Sequence, residues 1–147
     1  MGTLARSVLV TGFPGRQPAV HLVRELAIRG ERTVCCLVTE GREARARELL
    51  ETLPEDAQAR VSLWVGDPRA IDLGLSGEEL GVLSERIEVI HHCATVTDPA
   101  ATKEEAEGNI KATAEILELA ESAPRLQRLV YWSSATVSGN REGFVRE

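Results

Sequence analysis

Short apolar runs alternate with longer amphipathic stretches along the whole chain. The run 7–11 (SVLVT) is short and β-branched, the pattern of a strand buried on both faces. Residues 12–15 carry two glycines and a proline and read as a turn. From 17 to 29 the apolar positions Val20, Val23, Leu26 and Ala27 recur at helical spacing, and Gly30 marks the end of that helix. The run 33–38 (TVCCLV) predicts a second strand, and 42–53 a charged helix with Leu49, Leu50 and Leu53 on one side. A third strand is expected over 61–65, closed by Gly66-Asp67-Pro68. Ser76-x-x-Glu79 has the form of a capping box and opens a helix to about residue 85. Residues 87–91 predict a fourth strand. A second capping box, Thr102-x-x-Glu105, opens a long helix to about residue 122, with Ala106, Ile110, Thr113, Ile116, Leu117 and Ala120 as its stripe. Residues 129–132 predict a fifth strand, and the polar residues 138–147 read as loop.

Strands alternating with helices imply parallel pairing through right-handed crossovers, hence a doubly wound α/β sheet of about five strands. The 147 residues suffice for one domain with one sizeable core, and no repeat, linker or low-complexity segment divides them. Apolar residues make up 43% and charged residues 27%, with a net charge of −6. A diffusely acidic surface with only Lys103 and Lys111 as lysines argues against nucleic acid and against an anionic membrane surface. No apolar run approaches the ~20 residues that span a bilayer. The start of the chain lacks the layout of a signal peptide, so the expected location is the cytoplasm. Cys35, Cys36 and Cys93 then read as buried thiols acting as small hydrophobes. His91 and His92 are neighbours on a strand and point to opposite faces, so no metal site is expected there.

Thr11-Gly12-Phe13-Pro14-Gly15 joins the first strand to the first helix. A dinucleotide site needs glycine at such a junction twice over. The first makes the tight turn, and the second lets the backbone approach a pyrophosphate resting on the helix N-terminus. In a TGxxGxxG pattern the third glycine falls on Pro18, which offers no N–H and more bulk. Arg16 reads equally as a charge partner for phosphate or as a solvated side chain. A flavodoxin-like or receiver-like domain shares the element order, but its acidic cluster or different phosphate loop is not seen near the first strand.

The segments VLVTGFPG (8–15), VGDPRAIDLGLS (65–76), VIHHCATV (89–96), EGNIKAT around Asn109 and LVYWSSATVSG (129–139) together resemble the extended short-chain dehydrogenase/reductases. Within them the chain is most similar to the thioester-reductase and fatty acyl-CoA reductase type. The resemblance runs over nearly the whole chain, in family order and spacing. It implies a Rossmann-type sheet of order 3-2-1-4-5 and binding of NAD or NADP. By resemblance Gly12 and Gly15 form the phosphate loop, with the amides of Arg16 and Gln17 facing the pyrophosphate. Asp67 binds the adenine amino group, its competing reading being a turn residue before Pro68. Ala94, Thr95 and Val96 line the nicotinamide-side ribose. Asn109 matches an asparagine of the long helix. Ser134, with Ser133 beside it on the cofactor side, matches the serine that hydrogen-bonds a substrate carbonyl. The matching family members often carry arginine where Thr39 stands. Glu40 points to NAD and Arg42 to NADP, and the family tips the reading toward NADP.

The family's chemistry also needs a tyrosine followed four residues later by a lysine. The single tyrosine, Tyr131, is followed at that distance by Ala135, and both lysines precede it. Two expectations follow. Either the chain is the cofactor-binding part of an NAD(P)-dependent oxidoreductase acting on a carbonyl or thioester, incomplete as given, with Ser134 as its only catalytic residue. Or it is a degenerate binding or interaction module without catalysis, as Arg16, Gln17 and Pro18 suggest by replacing the usual aromatic, aliphatic and glycine residues. In both cases part of the stripe Ile110, Ile116, Leu117 and the edge of the fifth strand are expected to lie uncovered. They would then meet a second copy or another protein through residues 102–122 and that edge.

Overall fold

A computed structural model describes residues 6–98, 100–134 and 142–144. The expected tail motif beyond Ser134 and most of the C-terminal loop lie outside these residues. Five parallel strands, β1 (Ser7–Thr11), β2 (Thr33–Val38), β3 (Val61–Val65), β4 (Ile87–His92) and β5 (Arg128–Tyr131), form one sheet in the order β3-β2-β1-β4-β5. This is the Rossmann-type arrangement and order that the family resemblance implied.

Helices α1 (Gln17–Arg29) and α2 (Glu43–Glu51) cover one face, and α4 (Gly77–Arg86) and α5 (Lys103–Ser122) the other. Side chains alternate across the strands, so Val8, Val10, Val34, Cys36 and Val38 pack with Ala19, Val23 and Ala46. Leu9, Cys35, Leu37 and Ile90 pack with Leu83, Ile116 and Leu119. Every residue of β1 is buried because both faces are covered, which is why its centre, Val8-Leu9-Val10, is continuously apolar rather than alternating. All three cysteines are buried, and burial pushes the Cys93 thiol up to about 11.

Both capping boxes form. The Ser76 and Thr102 side chains accept the amides of Glu79 and Glu105, whose carboxylates bind back to the cap residues. Two short pieces had no periodicity to announce them, α3 (Glu55–Gln58) and a tight turn over Ile71–Gly74. The charged helix stops at Glu51, and Leu53, expected within it, instead packs beyond its end against Ala27 and Ala57.

The expected stripe of α5 needs correction. The residues that face the sheet are Ala112, Ile116 and Leu119, while Ile110 and Leu117 point outward at 72% and 47% exposure. The helix carries two apolar lines, and the predicted stripe mixed them. Of Ile110, Ile116 and Leu117, expected to be uncovered in part, Ile110 and Leu117 are exposed and Ile116 is buried. β5 stands at the edge of the sheet, as expected. Glu88, on β4, is buried at the end of the sheet where β1 and β2 begin and pairs with Arg6 (3.3 Å) and Arg32 (2.9 Å).

Candidate dinucleotide-binding site

Strand order reverses between β1 and β4, so the connections leaving these two strands diverge and open a crevice beyond their C-terminal ends. A cleft of about 430 Å³ lies there, lined by Gly12, Gly15, Arg16, Thr39, Arg42 and Asp67, with Ala94, Val96, Glu105 and Asn109. Its volume lies within the range of about 300–1,000 Å³ typical of small-molecule sites.

Gly12 makes the turn that the sequence demanded of it. Its φ is +91°, and a Cβ there would stand 2.8 Å from the Cys93 carbonyl carbon. The close approach is held by Thr11, whose hydroxyl accepts the amides of Cys93 (3.1 Å) and Ala94 (3.2 Å) and lies 2.8 Å from Nδ1 of His92. With those two amides donating to it, the hydroxyl donates its own proton to Nδ1, which places the imidazole proton on Nε2. Nε2 has no hydrogen-bond partner among the described residues. Burial holds this imidazole neutral, its pKa pushed down from 6.5 to about 4.

The first turn of α1 carries no acidic residue and its N-cap, Arg16, makes no side-chain capping bond. The positive end of that helix is therefore left for an anion, unlike the self-capped ends of α4 and α5. One expectation fails here. The amide of Arg16 does not face the cleft for a pyrophosphate; it donates to the Gly12 carbonyl at 2.8 Å, because the loop closes on itself before the helix begins. The first bond into the helix is Val20 N–H to Arg16 O, and Pro18 occupies the second helical position. Gln17, expected at the site, opens the helix with its side chain exposed and is not among the residues that line the cleft.

At the end of β2, Thr39 and Arg42 line the cleft, whereas Glu40 is exposed and does not. The Arg42 guanidinium lies in front of Gly15, its Nη1 2.6 Å from where a Cβ would sit. At the end of β3, both oxygens of Asp67 are engaged by Arg69, through Nε (3.1 Å), Nη2 (3.0 Å) and the amide (2.9 Å). That hydrogen-bonded guanidinium holds the carboxyl below its usual range. Sequence reasoning passed over Arg69, because a single arginine in a loop carries no pattern.

Asn109 turns its amide on the loop after β4. Oδ1 accepts the Val96 amide at 2.7 Å and Nδ2 donates to the Val96 carbonyl at 2.9 Å. Thr95 donates its hydroxyl to the Trp132 carbonyl at 3.2 Å, tying the same loop to the end of β5. A smaller cavity of about 230 Å³ adjoins the cleft, sharing Val96 and Asn109 and lined also by Thr95, Tyr131, Ser133 and Ser134. Apart from Gln17, the predicted site residues thus line two adjoining openings. Among the described residues no group of His, Cys, Asp and Glu side chains could hold a metal ion. No helix among them is long and apolar enough to cross a membrane.

A parallel sheet with a glycine turn, an uncapped helix end and a cleft at its switch point defines a nucleotide-binding α/β domain. The sequence profile of the NAD-binding family described as male sterility protein matches residues 10–147, and the chain belongs to that family, within the extended short-chain dehydrogenase/reductases. Among solved structures it is similar to the terminal R domain from the myxalamid PKS-NRPS biosynthetic pathway, with a TM-score of 0.83 and 31% identity over 100% of this chain and 39% of that one. It is also similar to the reductase (R) domain of a non-ribosomal peptide synthetase from Mycobacterium tuberculosis, with a TM-score of 0.77 and 29% identity over 94% of this chain and 35% of that one. A UDP-glucuronic acid 4-epimerase from Bacillus cereus shares the fold at 20% identity and a TM-score of 0.68, over 96% of this chain and 44% of that one. The chain therefore spans less than half the length of each. No curated protein sequence matches it.

Proposed function

We propose that the chain forms the dinucleotide-binding portion of a reductase that acts on a carbonyl or thioester, with NADP(H) preferred over NAD(H). The observation that carries this reading is the cleft itself. It brings the open end of α1, the glycine turn and Arg42 to one wall, with Asp67 at the end of β3. These groups suit, in turn, a pyrophosphate, a phosphorylated ribose and an adenine amino group. Arg42 in the cleft and Glu40 outside it favour a 2′-phosphate over a free hydroxyl.

A bound nicotinamide would supply the hydride. The chain's own contribution is to hold the loop 93–96 in place and to present Ser133 and Ser134 at the adjoining cavity, where a substrate carbonyl oxygen would accept a hydrogen bond from Ser134. The 147 residues contain no Tyr-x-x-x-Lys, so a proton donor of that kind would come from elsewhere. The outward line of α5, Ile110 and Leu117, together with the edge of β5, is the face through which a second copy or further protein would pack. A single monomeric species by light scattering at high concentration would rule out the second copy.

A second reading, a degenerate module that binds no cofactor, draws on Pro18 at the mouth of α1 and on Arg69 across Asp67. Calorimetric titration separates the two. NADPH binding in the micromolar range, about tenfold tighter than NADH and losing that preference in Arg42→Ala, is expected from one charge-assisted phosphate contact. No binding of either dinucleotide up to millimolar concentration overturns the proposal.

A further inference from the structure

Over residues 67–70, the loop after β3 that would meet an adenine base has no backbone donor left. The Asp67 amide is spent on the Leu73 carbonyl (2.9 Å), and residue 68 is proline. The Arg69 amide is spent on Oδ1 of Asp67 (2.9 Å), and the Ala70 amide on the Asp67 carbonyl (2.9 Å). The Watson–Crick edge of adenine offers a donor, its amino group, beside an acceptor, N1. A complementary surface must therefore offer an acceptor beside a donor. Asp67 is the acceptor, and within this loop a side chain must supply the donor.

We infer that Arg69 is a specificity-determining residue, donating to the acceptor edge of the base while Asp67 accepts from its amino group. This rests on the proposed cofactor reading. The Arg69–Asp67 pair is side-on: it uses Nε and Nη2 and leaves Nη1 outside it. The carboxylate has about four acceptor positions. Three are taken by Arg69, two on Oδ1 and one on Oδ2, so a position on Oδ2 remains next to the guanidinium donors. The arginine stem is braced from the other side, since a Cβ on Gly108 of α5 would lie 3.2 Å from its Cδ. Asp67, Arg69 and Gly108 all line the cleft. The glycine in α5 thus makes room for the arginine that lies across the base site. A base with the reverse edge, such as hypoxanthine with its O6 acceptor and N1–H donor, would set acceptor against acceptor at Oδ2 and donor against donor at the guanidinium.

The test titrates the full chain with NADPH and with its hypoxanthine analogue by calorimetry, comparing the native protein with Arg69→Met, which keeps a stem against Gly108. The native protein is expected to prefer NADPH by about tenfold or more, the discrimination typical of one mispaired charged hydrogen bond. Arg69→Met is expected to bind NADPH about tenfold more weakly and to lose the part of that preference owed to the guanidinium, while the mismatch at Oδ2 persists. A native protein that binds both dinucleotides equally, or an Arg69→Met protein that keeps the native preference, overturns the inference while leaving the cofactor reading intact. If the native protein binds neither, both fall together. Thermal unfolding of the variant is expected to match the native protein, because the pair is half exposed and contributes little to stability.

Discussion

The side-chain amide of Asn109 and the backbone of Val96 bond to each other in both directions, at 2.7 and 2.9 Å, so that a helix residue pairs with the loop as a neighbouring strand would. Among the described residues no other side chain both donates to and accepts from the loop after β4, and Asn109 therefore acts through Val96. Asn109→Ala is expected to cost about 1–3 kcal/mol of stability, since it leaves two half-buried backbone groups unpaired. It is also expected to weaken dinucleotide binding. Asn109→Asp keeps the acceptor but turns a carboxylate oxygen toward the Val96 carbonyl, so it should be no better than alanine above pH 5. Denaturant unfolding with parallel calorimetry checks both variants; unchanged midpoints would show that the loop holds its shape alone.

Gly12→Ala is expected to be severe. A side chain at φ +91° is strained, and the new methyl would meet the backbone of Cys93 at 2.8 Å, where nothing flexible can give way. The conformational part alone costs about 1–2 kcal/mol, and the clash adds to it. Measured melting temperature and NADPH affinity should fall together. An alanine variant with native affinity would mean that the turn is not part of the binding surface.

The buried, neutral His92 makes stability depend on pH in a definite direction. Its folded pKa lies at about 4, below the 6.5 of the free side chain, so between these values the unfolded chain holds the proton more tightly. Its contribution is complete above about pH 6.5 and is lost progressively as the pH falls toward 4. Between pH 6.5 and 5 the loss should come to about 2 kcal/mol. His91 is displaced in the same direction by burial and by the charge of Arg128, and adds to the trend. Urea midpoints at pH 7.5, 6.5 and 5 for the native protein and His92→Gln test this. A native curve no steeper than the variant's would remove His92 as the source.

At the far end of the sheet, Glu88 offers a control. It is buried between Arg6 and Arg32, so Glu88→Gln removes the charge that both arginines face. A loss of about 1–3 kcal/mol is expected, less than for a fully buried pair because Arg6 and Arg32 are partly solvated. Dinucleotide affinity should not change, because the residue sits at the opposite end of the strands from the cleft. Altered affinity at constant ligand conditions would show that the two ends are coupled.

Much of the fold was legible because its signals are periodic. The apolar runs of β1 and β2, the Ser76 and Thr102 capping boxes and the glycine turn each have a repeating or positional signature, and each forms. What escaped was local and aperiodic. The turn at Ile71–Gly74 puts Asp72 and Leu73 at φ +55° and +58° without a glycine at either position, so nothing in the letters announced it. The orientation of α5 was lost because Ile110 and Leu117 form an apolar line as regular as the buried one. In the site, residue identity placed Gly12, Arg42 and Asp67 at the right strand ends, but bond partners are not in the sequence. That the Arg16 amide closes its own loop, and that Arg69 covers Asp67, depends on backbone turns no pattern encodes.

The arginines of the cleft have a further consequence. The chain carries a net charge of −6, yet Arg16, Arg42 and Arg69 face the cleft against only Asp67 and Glu105. A polyphosphate approaching from afar meets net repulsion, and only near the mouth does the sign of the field reverse. Dissolved salt at about 0.1 M limits such fields to about 10 Å. It therefore hides the distant carboxylates before it weakens the arginines at contact. Capture of the ligand is expected to quicken as ionic strength rises from very low values, and its residence to shorten only at higher salt, so a single low-salt experiment would understate how readily the cleft fills.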